Sequence, residues 1–166
     1  MHRYALITSL IAAPALVAAQ THSSGAIPLV DFGGQLRVRA ESYNAAGFND
    51  ANSDAYVLTR ILLNARVHPT ASTTFFIEGM DARAPSKNTT PAGPPFRDNA
   101  DLRQLYLQLG HDNASTQFRV GRQELLYGDG RLVGPLLWAN TARTFDAARL
   151  SYSGRGYRVD AFASSV

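Results

Sequence analysis

The sequence has no cysteine, a single tryptophan, a single lysine (Lys87) and, beyond its first twenty positions, no apolar run approaching the roughly 18 residues of a membrane-spanning helix. Without cysteine there is no disulfide, no thiolate-ligated zinc or iron–sulfur centre, and no lipid-bearing cysteine of a bacterial lipoprotein. Without a long apolar run, any membrane role would have to use strands. Charged residues are scarce at 17%, while 45% of the 166 residues are hydrophobic, which excludes a disordered tail. A formal charge of +3 gives no footprint for a nucleic-acid partner. A mean hydropathy of −0.15 is compatible with barrel strands, which conceal their hydrophobicity by alternating it.

Residues 1–19 read MHRYALITSLIAAPALVAA: a short polar start with Arg3, an apolar run from Tyr4 to Val17, and small Ala18 and Ala19 before Gln20. That is the layout of a secretory signal peptide. Its removal takes one arginine and no acid, lowering the formal charge to about +2, and leaves residues 20–166 as one domain's worth of chain. The expected address is the periplasm, the outer membrane or the exterior.

What the sequence does have is alternation. From Asp31 to Tyr43, Phe32, Leu36, Val38 and Ala40 share one parity while Gln35, Arg37, Arg39 and Glu41 share the other. Period two also runs through 55–68, where Val57, Ile61, Leu63 and Val67 oppose Tyr56, Arg60, Asn64 and Arg66, and through 72–82, where Phe75 and Ile77 oppose Phe76 and Glu78. Further strands follow at 102–110, 117–121, 145–152 and 157–166, with Leu105, Phe118, Leu150 and Val159 on one side and Gln104, Arg119, Arg149 and Arg158 on the other. Seven strands are expected, and no helix after the signal peptide.

The connections alternate in length, at about 11, 4, 16, 6, 20 and 4 residues, by boundaries good to a few residues. Long loops at one end and tight turns at the other describe an all-β, antiparallel up-and-down transmembrane barrel. A soluble sandwich gives no reason for such alternation, since both its ends meet the same water. With the apolar parity towards lipid, the lumenal wall carries Arg37, Arg39, Arg60, Arg66, Arg119, Arg149 and Arg158 against Glu41, Glu78 and Asp160. Guanidinium groups keep their charge, bind carboxylates through paired donors and are weakly hydrated, so such a wall attracts carboxylated solutes and releases them again. Arginine also pairs with acids to stiffen a barrel wall, and that structural role stays open for each of them.

The segment from Gly121 to Leu150, GRQELLYGDGRLVGPLLWANTARTFDAARL, resembles the signature region of the bacterial alginate export family of outer-membrane proteins. The specific strings are RVGRQELLYGDGRLVGP and W.N..RTFDA.RL; weaker similarity reaches back through FFIEGMDAR at Phe75–Arg83 and LRQLYLQL at Leu102–Leu109. The resemblance implies a large barrel that passes an acidic polysaccharide through an arginine-rich pore. It points to Arg39, Arg66, Arg122 and Arg143 as pore-facing cations, with Glu124, Asp129 and Asp146 as acids placed to pair with them. Arg122 and Arg143 sit at or beyond strand ends, and a loop folded into the lumen is an alternative for both. Family barrels need more than seven strands, so the chain is expected to be the amino-terminal part of a longer barrel.

Other chemistry falls away on spacing. Gly128, Gly130 and Gly134 lack the Lys-Ser/Thr of a phosphate loop. Asp50, Asn52 and Asp54 begin a calcium-loop pattern, but Ala55 and Ile61 stand where it needs glycine and glutamate. His22, His68 and His111 are too far apart for a metal pair. No nucleophile elbow or paired catalytic carboxylates appear, so no enzyme, cofactor or metal is expected. Trp138, Tyr127 and Tyr152 are candidates for an interfacial aromatic girdle. The expected function is an outer-membrane channel for an anionic polysaccharide or other carboxylated solute, with membrane lipid and periplasmic export machinery as partners. The competing readings are a general small-solute porin, a small structural or adhesion barrel of eight strands, and a periplasmic β-sandwich binding module.

Overall fold

The computed structural model describes residues 10–11, 29–44, 53–88 and 95–165. Seven long strands form one antiparallel meander: β2 (Val30–Tyr43), β3 (Asp54–Thr70), β4 (Thr73–Arg83), β5 (Asp98–Leu109), β6 (Thr116–Gln123), β7 (Phe145–Gly154) and β8 (Tyr157–Ser165). A two-residue strand, β1 (Leu10–Ile11), inside the stretch expected to be a signal peptide, pairs with Ala40 and Arg39 on the outer edge of β2. All seven expected strands are present.

These strands do not close into a barrel; the sequence predicts that they form only the amino-terminal part of one. The sheet order runs from β1, paired with β2 over two residues, to β8, and β8 pairs only with β7 among the described residues. Closure would require the first and last strands to hydrogen-bond, and single-chain bacterial barrels do so with an even number of strands. The alternation of connections is present as expected: 44–53, 84–97 and 124–144 are long, whereas 71–72, 110–115 and 155–156 are short.

Register carries one face without interruption across the sheet. Directly opposed residues project to the same side, so the pairs Arg37↔Arg60, Asn64↔Glu78, Glu78↔Gln104, Gln108↔Arg119, Arg119↔Arg149 and Ser151↔Asp160 lie on a single face. That face is polar yet covered: Arg60, Glu78, Arg103, Gln104, Gln108, Gln123 and Ser151 are all buried. The opposite face is apolar yet bare, with Phe32 77% and Leu63 67% exposed and Leu36, Ile77, Leu105 and Leu150 exposed beside them. This inverts the arrangement of a water-soluble sheet, which buries its apolar side.

Two irregularities fall in the β4–β5 ladder. Glu78 opposes Gln104 and Gly79 opposes Leu102, so Arg103 is an extra residue in β5, a β-bulge. A second shift lies between Met80 and Ala82, beside Ala100 in the left-handed region (φ 53°). The strand therefore starts at Asp98, four residues before the alternation becomes visible at Leu102. Between β5 and β6, Gly121 has φ 123° and its missing side chain would collide with the Leu105 carbonyl and Tyr106 Cα, so the close approach of these strands requires glycine there.

Candidate functional site

The polar face is organised into two halves, one at each end of the strands. At the long-loop end, the 124–144 connection folds back over β2 and β3. Arg37 donates to the carbonyls of Leu137 at 3.0 Å and Ala139 at 2.7 Å, Arg39 to that of Trp138 at 2.6 Å, and Arg60 to that of Ala139 at 3.5 Å. Asn140, 1% exposed, joins the remaining parts. Its side-chain oxygen accepts from Arg37 at 3.2 Å, while its side-chain nitrogen donates to the carbonyls of Thr59, Arg83 and Phe96 at 3.1, 3.2 and 2.9 Å. The Asn140 and Thr141 backbone amides donate to the Pro95 carbonyl, linking the 124–144 and 84–97 connections. Leu136 and Ala142, at φ 52° and 57°, bracket the docked segment, a left-handed geometry costing about 1–3 kcal/mol per residue that this network holds in place.

The start of the same connection packs inward. Leu125 is fully buried with Phe145 and Ala147, and Tyr127 and Val133 pack against that cluster and form a bridge with each other. Tyr127 stacks on Phe162 with centroids 4.9 Å apart, and burial, with Asp160 nearby, pushes its hydroxyl above the usual phenol range. Tyr127 and Trp138 thus both belong to the connection covering the polar face. On the bare face, Tyr152 lies against Tyr157 at the short-turn end.

In the middle of the sheet the bulge turns Arg103 onto the polar face, between Glu78 and Glu124. Glu78 also accepts from Gln104 at 2.9 Å and from Asn64 at 3.4 Å. Alternation alone assigns Arg103 to the face of Leu105, which is why sequence reasoning missed it. Asn140 was equally missed as a site residue, although it is the asparagine of the W.N..RTFDA string.

Towards the short turns, three cations stand against aromatic rings and one another rather than in ion pairs. Arg66 lies over the Phe76 ring at 5.4 Å, Phe76 stacks on Tyr106 at 4.9 Å, and Arg119 lies over Tyr106 at 4.2 Å. Two guanidinium groups thus bracket a pair of stacked rings, and Gln108 accepts from Arg119 at 3.0 Å. Arg149 stands opposite Arg119 in register. Among the described residues no ion pair joins Arg66, Arg119 or Arg149 to an acid, whereas Arg39 pairs with Glu41 at 2.7 Å and Arg158 with Asp160 at 3.0 Å.

Arg122 is placed apart from these groups. It opposes Leu105 on the bare face, because it shares parity with Phe118 and Val120, and it pairs there with Asp146 at 3.0 Å. Arg143 is exposed in the 124–144 connection, held through its backbone amide to the Pro135 carbonyl. Asp129 is exposed in the same connection and has no ion pair among the described residues, and Glu124 pairs with Arg103 rather than with Arg122 or Arg143. Asp50 and Asn52 of the calcium-like pattern, and His22, lie outside the described residues. Among the described residues no three His, Asp or Glu side chains group as metal ligands.

The strings that fill the covering connection, from Gly121 to Leu150, lie within a match to the family model for alginate export, which spans residues 29–165. The chain belongs to the alginate export family. No curated protein and no solved structure matches it. Alginate export is a transport family of outer-membrane proteins, which implies a non-enzymatic role. Within that frame, the string that begins at Trp138 supplies most of the atoms that dock the long connection onto Arg37, Arg39 and Arg60.

Proposed function

We propose that the chain forms part of the wall of an outer-membrane channel that passes an anionic polysaccharide of the alginate type, or another carboxylated solute, along its arginine-bearing polar face. The observation that carries this reading is the inversion of the sheet, with a bare apolar face suited to lipid and a covered polar face suited to a lumen. Further strands would complete the barrel, and residues 1–19 would direct export.

The arginines divide the work. Arg37 and Arg39 donate to backbone carbonyls of the docked connection, and Arg60 to Gln35 at 2.7 Å and to Ala139, so they fix a constriction rather than meet solute. Arg66, Arg119 and Arg149 keep charge without a paired acid, and they are the cations on which carboxylates would dwell. Several weak sites in sequence allow a polyanion to be handed along without being trapped. Arg103, held between Glu78 and Glu124, stiffens the wall between the two halves.

The test is single-channel recording of the full chain in planar bilayers. Anion preference and block by long acidic oligosaccharides are expected, and Arg66→Ala with Arg119→Ala should reduce both. Unchanged selectivity in the double variant would remove these arginines from the pathway. Conduction that acidic oligosaccharides do not block would favour a general small-solute porin.

A further inference from the structure

At the short-turn end, on the same polar face, a cleft of about 230 Å³ is lined by Asp31 of β2, Arg66 and His68 of β3, Ala71, Thr74 of β4, and His111 and Asp112 of the 110–115 turn. The channel reading assigns Arg66 to the solute pathway but gives the two histidines no task. Their hydrogen bonds differ in what a proton would displace. His68 has Nε2 at 3.4 Å from Asp31 Oδ2 and Nδ1 at 3.2 Å from Thr74 Oγ1. The hydroxyl can donate to a bare Nδ1 or accept from a protonated one, so His68 changes charge without losing either neighbour. His111 instead accepts the Asn113 backbone amide at Nδ1, at 3.2 Å, and protonation there would break that bond.

The charge of the cleft then depends on one imidazole. With His68 neutral, Arg66 faces Asp31 and Asp112, leaving one net negative charge; with His68 protonated, its charge offsets Asp31, the cleft is neutral, and Arg66 is presented beside a Thr74 hydroxyl that accepts from Nδ1 and is free to donate. Asp31 is committed to His68 and opposes Arg66 in register, and Asp112 accepts from Gln108 at 2.8 Å, so the acids are held back by neighbours on both sides. Among the described residues His111 is the remaining ionisable side chain of the lining, and Arg119 stands behind Asp112, both holding Gln108. Imidazole is the side chain whose ordinary titration falls between about pH 5 and 8.

We infer that this cleft is a carboxylate-binding site at the short-turn mouth, switched by protonation of His68: it accepts a uronate-like carboxylate when His68 is charged and repels it when His68 is neutral. This deepens the channel reading and rests on it for its biological use, but the binding itself is measured without conduction.

The experiment is equilibrium binding of glucuronate to the folded full chain in detergent, at pH 5.5 and pH 8.0, with folding checked by heat-dependent gel mobility. The wild type should bind about fivefold more tightly at the lower pH, the effect of one unit charge at about 4 Å in water. His68→Gln should abolish that difference and His111→Gln should retain it. Asp31→Asn, which removes the opposing acid, should strengthen binding at pH 8.0 and guards against a histidine variant that misfolds. Equal binding at the two pH values in the wild type, or a pH difference that survives His68→Gln, would overturn the inference. Bilayer recordings, failing separately, would refute the channel while leaving this site intact.

Discussion

Arg37 on the first long strand donates from Nη2 to the Ala139 carbonyl at 2.7 Å, joining positions 102 residues apart in sequence. The bond places the family's signature segment against the polar face, and Asn140 completes it by reaching three further carbonyls on β3, β4 and the 84–97 connection. A connection that is irregular in sequence is thereby tied to β2, β3 and β4.

Asn140→Ala is expected to release this connection. The substitution leaves Arg37 short of one acceptor and three partly buried carbonyls short of a donor, a loss of about 1–3 kcal/mol. Limited proteolysis should then cut within 131–143 while the strands persist, and channel conductance should rise as the constriction loosens. A loop equally resistant in the variant would show that Arg37, Arg39 and Arg60 hold it without Asn140.

A charge placed on the bare face should be costly in lipid. Leu63, 67% exposed, lies in β3 among Ile61, Ala65 and Val67. Leu63→Arg is expected to destabilise the protein in bilayers by about 2–4 kcal/mol if it sits near the midplane. In a water-soluble sheet an exposed leucine exchanged for arginine would change stability little, so urea unfolding from vesicles discriminates between the two.

Much of this architecture was legible because alternation is a local signal. The parity of Arg37, Arg60, Arg119 and Arg149 followed from their strands alone, and register carries it across the sheet unchanged. Three things were not local. Arg103 reaches the polar face through a bulge that alternation cannot reveal, and the docking of 137–140 onto β2 and β3 depends on contacts about a hundred residues apart. Closure depends on partners for the edges of β2 and β8, which no pattern within seven strands supplies. Arg122 illustrates the limit from the other side: it lies just past the alternation visible at 117–121, and only the extension of β6 to Gln123 gives it the parity of Phe118 and Val120 and so the bare face.

Gly121→Ala should separate β5 from β6 locally. The glycine adopts φ 123°, and an added methyl meets the backbone of Leu105 and Tyr106 rather than a movable side chain. The expected loss is about 1–3 kcal/mol from the backbone conformation alone, with more from the displaced strand. Because Arg119 lies over Tyr106 two residues away, tyrosine fluorescence and anion selectivity should change together in this variant. A substitution that leaves both unaltered would show that β5 and β6 adjust without disturbing that contact.

Arg103 and its two acids test whether the centre of the wall acts through charge or through packing. Arg103 and Glu78 are 4% and 6% exposed, and removing the cation alone leaves Glu78 buried with only the Gln104 and Asn64 amides, at a cost of about 3–5 kcal/mol. Arg103→Met should therefore lower the unfolding midpoint sharply, whereas Arg103→Met combined with Glu78→Gln and Glu124→Gln should recover most of the loss, since no uncompensated charge remains. If the triple variant is as unstable as the single one, the shape of Arg103 within the bulge, and not its charge, sustains the β4–β5 ladder. The same pair of variants separates structure from transport. Arg103 spends its donors on two acids, so a triple variant that regains stability should also regain anion selectivity, and one that is stable but unselective would add Arg103 to the cations that meet solute.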